Sequence, residues 1–488
     1  MTRGFCAFSL IRLCGAFRRL SFALAGMAAA LLMLSHAASA SAPASQEKAA
    51  GKPCAFHDDQ FDPATDVHAF DAYQSAIAQL LKQEKFADLD CVADAARARK
   101  TRFSGGTWKL VEIYSGLEKP RPGHPTEEDW KLHFELLQRW QDENPQSVTA
   151  RIATAESYTS YAWDARGSGY SNSVSESGWK LFEQRVEKAQ AILDEAAKLP
   201  TKCPEWYLAM LDVAQGEGWD LAQQTALFEK AVAFDPTFQS YYRNHVVQLQ
   251  PKWSGEEGDA AIFAAAAADK VGGAAGDILY FQIADKLVCG CDDPEFGHFS
   301  WPREQKGYAA LEKKYGVSLL NVNSFALMAS KAHDWGVADQ EFKRMGDQWD
   351  QDKWRTEAWF KQNRDLATQM APMLAKTRAF HDEAAANMKT RETKAYLANF
   401  NPKLTAFEQS CVKESNGDAS SFELFVQVGQ NGSAEEVHME KQPNAFAMCL
   451  MRAMYATYVA KQTPFPAPPA ASYKMVLEID PTTLSAAK

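Results

Sequence analysis

The chain has 488 residues, a formal charge of -10 and 46% hydrophobic residues, enough material for two to four domains. The acidic balance, without blocks of Lys or Arg, excludes general binding to a phosphate backbone, so no nucleic acid is expected as a partner. With 13 Trp, 28 Phe and 15 Tyr the chain can pack ordered cores, which excludes disorder as its main state.

Residues 1–40 read as an export signal. Arg3, Arg12, Arg18 and Arg19 form a positive leading region, Leu20 to Leu34 an apolar core, and Ala38-Ser39-Ala40 a small-residue cleavage pattern. The mature chain is expected to begin near Ser41, in the periplasm or otherwise outside the cytoplasm; an uncleaved anchor is the alternative, because the apolar core lies close to spanning length. Loss of these residues removes four arginines and no carboxylates, moving the charge from -10 to -14. No later apolar run reaches membrane-spanning length, and Ala260 to Ala268 is short and small. A soluble mature chain is therefore expected.

Residues 41–64 show neither a helical nor a strand period and read as a flexible lead-in. Residues 65–400 then read as helical, since Ala, Gln, Leu, Lys and Glu dominate. Phe70, Tyr73, Ile77 and Leu81 form one stripe, Phe86, Leu89 and Val92 a second, and Gly105-Gly106 precedes another helix near Trp108. After the break at Pro120 to Gly123, Trp130, Phe134, Leu137 and Trp140 mark the next. Ala150, Ala153, Ala155, Tyr158 and Ala162 predict a close-packing helix, and Trp179, Phe182, Val186, Ala189 and Leu193 its neighbour. Leu227 to Pro236 matches the second half of a tetratricopeptide repeat, although no period of about 34 residues is sustained. Helices around Phe238, from Val322 to Ala332, and through Ala338, Phe342, Trp349, Trp354 and Trp359 follow.

The pattern changes after Asn399-Phe400-Asn401-Pro402, and residues 401–488 read as a separate small domain. Phe422, Leu424, Val426 and Val428 alternate as a half-buried strand, and Gly429-Gln430-Asn431-Gly432 predicts a hairpin turn. Val437 and Met439 fit the returning strand, Asn444 to Tyr458 a helix, and Tyr473, Met475 and Leu477 a last strand. The expected fold class is mainly α: irregular tetratricopeptide-like hairpins followed by a small α+β domain.

Cys54, Cys91, Cys203, Cys289, Cys291, Cys411 and Cys449 survive signal removal, an odd number that leaves at least one unpaired or joined to another chain. A bond across Cys289-Gly290-Cys291 closes a strained ring, and with His298 nearby no fourth metal ligand stands at structural-zinc spacing. Disulfides from these two residues to distant cysteines are expected instead.

The helical part resembles a bacterial domain of unknown function, the family numbered 4034 among such domains. The resemblance rests on Phe86-x-x-Leu89-Asp90, Arg102-Phe103-x-x-Gly106-x-Trp108-x-Leu110, Ala162-Trp163-x-Ala165-Arg166-Gly167, Gly178-Trp179 and Pro251-Lys252-Trp253-x-Gly255, and covers roughly residues 86–360. It implies a helical repeat and no chemistry. The last 80 or so residues are similar to TonB-like C-terminal modules of exported proteins, through Gly429-x-Asn431-Gly432, Cys449-Leu450 and Phe465-Pro466-x-Pro468. The resemblance implies a disulfide between Cys411 and Cys449.

No GxSxG, HExxH, P-loop or strand-borne GxGxxG is present, so neither a catalytic residue nor a cofactor or metal is assigned. The best polar cluster is Trp163, Asp164, Arg166 and Tyr170, beside the turn Gly167-Ser168-Gly169. Asp164 and Arg166 are expected either to pair and hold that turn or to face a groove and take a polar or carboxylate ligand. His57, Asp58 and Asp59 offer a weak metal site in the lead-in. His133 and His245 lie within helical stripes and are expected to pack. Most tryptophans are expected to be core knobs, with one or two free to anchor a peptide. The leading reading is an exported interaction module of the cell envelope whose partner is an envelope protein or peptide. The alternatives are an envelope enzyme working through carboxylates in a cleft, and a purely structural component. The oligomeric state stays open.

Overall fold

The computed structural model describes residues 54–121, 123–167, 169, 171–289, 294–414, 420–439 and 443–485. The expected signal peptide, most of the lead-in, Tyr170 and Cys291 lie outside them. The described chain is mainly helical and ends in a small three-stranded sheet. No helix among the described residues is long and apolar enough to cross a membrane.

The chain divides into two compact units. One runs through Leu327 and takes back Asp347–Arg355; the other comprises Met328–Gly346 and Thr356–Lys488. The first opens with α1 (Ala69–Lys82), α2 (Phe86–Arg99), α3 (Lys109–Leu117) and α4 (Glu127–Glu143), followed by α5 (Val148–Arg166), α6 (Glu176–Lys198) and α7 (Pro204–Gly216). Next come α8 (Leu221–Phe234), α9 (Ser240–Gln248), α10 (Asp259–Val271), α11 (Gly273–Leu287) and α12 (Trp301–Tyr315). Helix starts follow local chemistry. Thr126 with Asp129 and Asp220 with Gln223 form capping boxes, and the Ser147 and Ser175 hydroxyls accept from Ala150 N and Gly178 N.

Consecutive helices pack on one another, α4 on α5, α5 on α6, α6 on α7 and α7 on α8, with α10, α11 and α12 continuing the series. The small residues of α5 permit this: Ala150, Ile152, Ala153, Ala155 and Ala162 are fully buried. Trp108, Trp130 and Trp140 are core residues, whereas Trp253 is exposed. Arg102 ties the α2–α3 loop to the α8–α9 loop, donating to Gly106 O and Gln239 Oε1 at 2.8 Å each and to Thr237 O at 2.8 Å. Its guanidinium lies over Trp108, 4.6 Å from the ring centroid. Gly106 meets this clamp in the left-handed region, with φ of +79°.

The lead-in is not loose where it is described. Cys54 is disulfide-bonded to Cys91, Phe56 and Phe61 pack against Tyr73, and Asp58 pairs with Lys109 at 2.6 Å. Covalent and aromatic anchoring leave no periodic signature, which is why residues 54–64 read as flexible. Cys289 is disulfide-bonded, but to none of the other described cysteines. That rules out the expected distant partners among Cys54, Cys91, Cys203, Cys411 and Cys449.

Helix α13 (Leu319–Lys331) carries Asn323, fully buried, whose amide oxygen accepts from Asp350 N and Trp354 Nε1, both at 2.9 Å, and whose amide nitrogen donates to Gln348 O at 3.0 Å. These bonds hold residues 347–355 in the first unit.

The short α15 (Gln351–Trp354) belongs to that first-unit segment; in the second unit α14 (Trp335–Met345) packs on α16 (Glu357–Met388). After α17 (Arg391–Cys411) come β1 (Phe422–Val428), β2 (Ala434–His438), α18 (Ala445–Val459), β3 (Tyr473–Ile479) and α19 (Thr482–Ser485). The sheet order is β2-β1-β3, both pairings antiparallel, with a register shift at Gln427/Val428. The hairpin closes as Gly432 N donates to Gly429 O at 2.8 Å, with Gly432 at φ +82°. The core gathers Phe400, Leu424, Val426, Phe446, Leu450, Met475 and Leu477. Cys411 and Cys449 are disulfide-bonded. The expected break at 400/401 falls inside α17, which continues through Pro402.

Candidate functional site

The polar cluster singled out in the sequence does not assemble as an ion pair. Asp164 is exposed and accepts from Trp130 Nε1 at 3.1 Å. Arg166 donates to Gly167 O and Gly169 O at 3.1 and 3.0 Å and lies over Trp163 and Trp179, 5.3 Å from each centroid. Two residues apart on α5, the two side chains diverge around the helix. Arg166 therefore holds the turn without Asp164, by carbonyl bonds and cation–π contact. Asp58, of the weak metal candidates, is taken by Lys109.

A different site forms where α3, α5 and α7 meet. Val111, Tyr114, Ser115 and Glu118 project from α3 and its end, Glu156, Thr159 and Ser160 from α5, and Glu205, Leu208, Ala209 and Asp212 from α7. Each set follows the three- and four-residue spacing of one helix face. Together they line a cavity of about 120 Å³, carrying four carboxylates with Val111, Leu208 and Ala209 as apolar wall.

The walls are fixed from behind. His133 of α4 bonds Leu117 O at 2.9 Å and lies 3.1 Å from Ser157 Oγ, which itself donates to Leu117 O at 3.1 Å. Leu117 and Ser157 are the chain neighbours of Glu118 and Glu156, so this lock sets the spacing of α3 and α5. His133 is buried, and that burial pushes its pKa down to about 4; it packs as a neutral ring. His245 is likewise buried, stacked on Phe228, and lowered to about 4 by burial. Asp212 accepts from Asn244 Nδ2 at 2.6 Å. Tyr114 OH lies 3.5 Å from the buried free thiol of Cys203.

Polar capacity is left unsatisfied inside. Glu205 is only 2% exposed, yet no donor of the protein reaches its Oε2. Glu156 and Glu205 both line the cavity, and the charge of Glu205 disfavours that of Glu156. Burial, then Asp212 and Glu112, pushes Glu205 up to about 8, and burial with Glu205 and Glu118 pushes Glu156 well above the carboxylate range. Burial raises Asp212 to about 6, opposed by the Asn244 bond and the charge of Lys286. Behind the wall, burial raises Glu112 to about 7 despite its 2.6 Å bond from Gln74. At the edge Lys119 stands 3.6 Å from Glu118.

The space falls well below the roughly 300 Å³ at which small-molecule pockets begin, so it admits one head group and not a sugar chain. Among the described residues no group of three His, Cys, Asp or Glu is placed to hold a metal ion. The sequence reading missed this site, although Glu205 and Asp212 stand seven residues apart on the otherwise apolar face of α7. No family model, curated protein or solved structure matches this chain.

Proposed function

We propose that this is an exported binding protein of the cell envelope, and that it holds an envelope protein or peptide through a positively charged group seated in the carboxylate cavity. The observation that carries this reading is Glu205 Oε2, buried in the cavity wall without a donor. A buried polar atom left open costs free energy unless something from outside satisfies it. In this reading the helices are tetratricopeptide-like hairpins presenting the cavity, and the TonB-like module adds a second contact.

The raised Glu156 and Glu205, carboxyl groups that burial keeps protonated, are the feature that speaks for a carboxylate enzyme. The size of the cavity speaks against one acting on envelope polysaccharide. The test is a crosslinking pull-down of the mature protein from the envelope of its own organism, run with Glu205→Gln and with Asp164→Ala/Arg166→Ala. A discrete partner lost with Glu205→Gln and kept with the double variant supports the reading. Capture that Glu205→Gln leaves intact sinks it.

A further inference from the structure

Resting on that reading of the cavity, we infer that the group it takes is a primary ammonium on an aliphatic stem, as on a lysine side chain or a free alkylamine. Three properties of the walls select this head. The first is sign: Glu118, Glu156, Glu205 and Asp212 line the cavity, and no Lys or Arg lines it. The second is valence. An ammonium brings three donors that can turn independently toward separate acceptors, and Glu205, one of whose carboxyl oxygens has no donor in the protein, lines the cavity. A metal ion instead needs several ligands converging on a single point at about 2.0 to 2.6 Å. Among the described residues no such convergence of three ligands exists. The third is shape. Val111, Leu208 and Ala209 offer an apolar sleeve to a methylene stem, with Thr159 and Ser160 as further acceptors. A planar guanidinium requires a matched fork of acceptors.

Entry of the cation displaces a proton from the raised carboxyl groups that line the cavity. No bond is made or broken other than the O–H: the proton leaves to solvent and the ammonium takes its place. The groups that face Glu156 and Glu205 are Glu112, Tyr114 and Glu118 from α3 and its end, Cys203 and Asp212 from the start and body of α7, Tyr241 of α9, and Lys286 of α11, which acts on Asp212. Lys119 and Arg121 act on Glu118. Binding should therefore tighten as pH rises, by up to about tenfold per pH unit while the displaced carboxyl still holds its proton.

The experiment is calorimetric titration of the mature protein at pH 6 and pH 8 with n-butylammonium, Nα-acetyl-lysine N-methylamide, n-butylguanidinium, tetramethylammonium and Ca²⁺. The expected result is binding of the two primary ammonium probes, tighter at pH 8. It should weaken at least about tenfold in both Glu205→Gln and Asp212→Asn, each first shown by circular dichroism to be folded. Tighter binding of the capped lysine points to a partner's side chain as the source, and tighter binding of butylammonium to a free amine; either supports the inference. Preference for Ca²⁺, guanidinium or tetramethylammonium overturns it, as does amine binding indifferent to both variants. If no amine binds while the pull-down still depends on Glu205, the ligand class is wrong and the binding reading stands. If amines bind and no partner is captured, the reverse holds.

Discussion

Two buried acidic centres lie in the first unit, and they are built in opposite ways. Asp285 of α11 accepts from Arg243 Nη1 at 2.7 Å and stands 3.3 Å from Lys353 Nζ. Those two cations are themselves anchored, Arg243 to Gln282 O at 2.6 Å and Lys353 to Asp285 O at 2.7 Å. Burial alone would push Asp285 up, but Lys353 and Arg243 hold it well below the usual carboxylate range. At the α3–α5–α7 cavity burial acts on Glu156, Glu205 and Asp212 without a cation in contact, and all three rise. Both centres bury carboxylates, and only one supplies their counter-charges from its own chain. A centre that neutralises itself is part of the scaffold, and one that relies on carboxyl groups kept protonated by burial is open to exchange with a cation from outside.

The largest effect is expected at the self-neutralised centre. Asp285→Ala leaves Arg243 and Lys353 facing each other without their anion, and should destabilise the first unit by about 3 kcal/mol in denaturant titration at pH 7. Asp285→Asn keeps the shape and loses the charge, so it should recover only part of that. If both variants unfold at the wild-type midpoint, Asp285 is not the structural counter-ion and the contrast between the centres fails.

At the cavity the sign should reverse. Glu205→Gln removes a carboxyl that must stay protonated, and should stabilise the protein on the order of 1 kcal/mol at pH 8 with almost no change at pH 4. Glu205, raised to about 8, keeps its proton in the folded state where the unfolded chain, near 4.5, has lost it. Stability from this group is thus complete below about pH 4.5 and declines as pH rises toward 8. Asp285 runs the other way: its contribution is present above its ordinary value of 3.8 and is lost as acid protonates it. Thermal midpoints from pH 4 to 9 for wild type and Glu205→Gln check this. Parallel curves would mean that Glu205 ionises normally.

The sequence revealed the second unit more fully than this cavity, for a physical reason. In β1 and β3 one face is buried, so Leu424, Val426, Met475 and Leu477 recur with period two, and Gly432 marks the turn that the backbone needs. Those signals are local. The change of pattern after Pro402 comes with no break in the backbone, since α17 runs through it as a 21-residue helix. The small-residue stripe of α5 was legible, but Glu205 and Asp212, seven residues apart on one face of α7, passed unremarked. That the faces of α3, α5 and α7 close on one cavity depends on contacts between distant segments, such as His133 with Leu117 and Ser157, which no period encodes.

The smallest effect should come from Lys286, which belongs to both centres. It follows Asp285 in α11, is attracted by Asp212 and Asp285, and is repelled by Arg243 and Lys353. Its side chain is exposed, so water screens these forces and Lys286→Met should change stability by no more than about 0.5 kcal/mol. The cavity, however, loses the cation that most holds Asp212 down. Asp212 should then rise above about 6, and a cation entering from outside meets one positive charge fewer. Affinity for n-butylammonium at pH 8 should increase about twofold while the midpoint of unfolding stays put. A destabilisation as large as that of Asp285→Ala would place Lys286 in the self-neutralised centre, and the division between structural and exchangeable charge would have to be redrawn there.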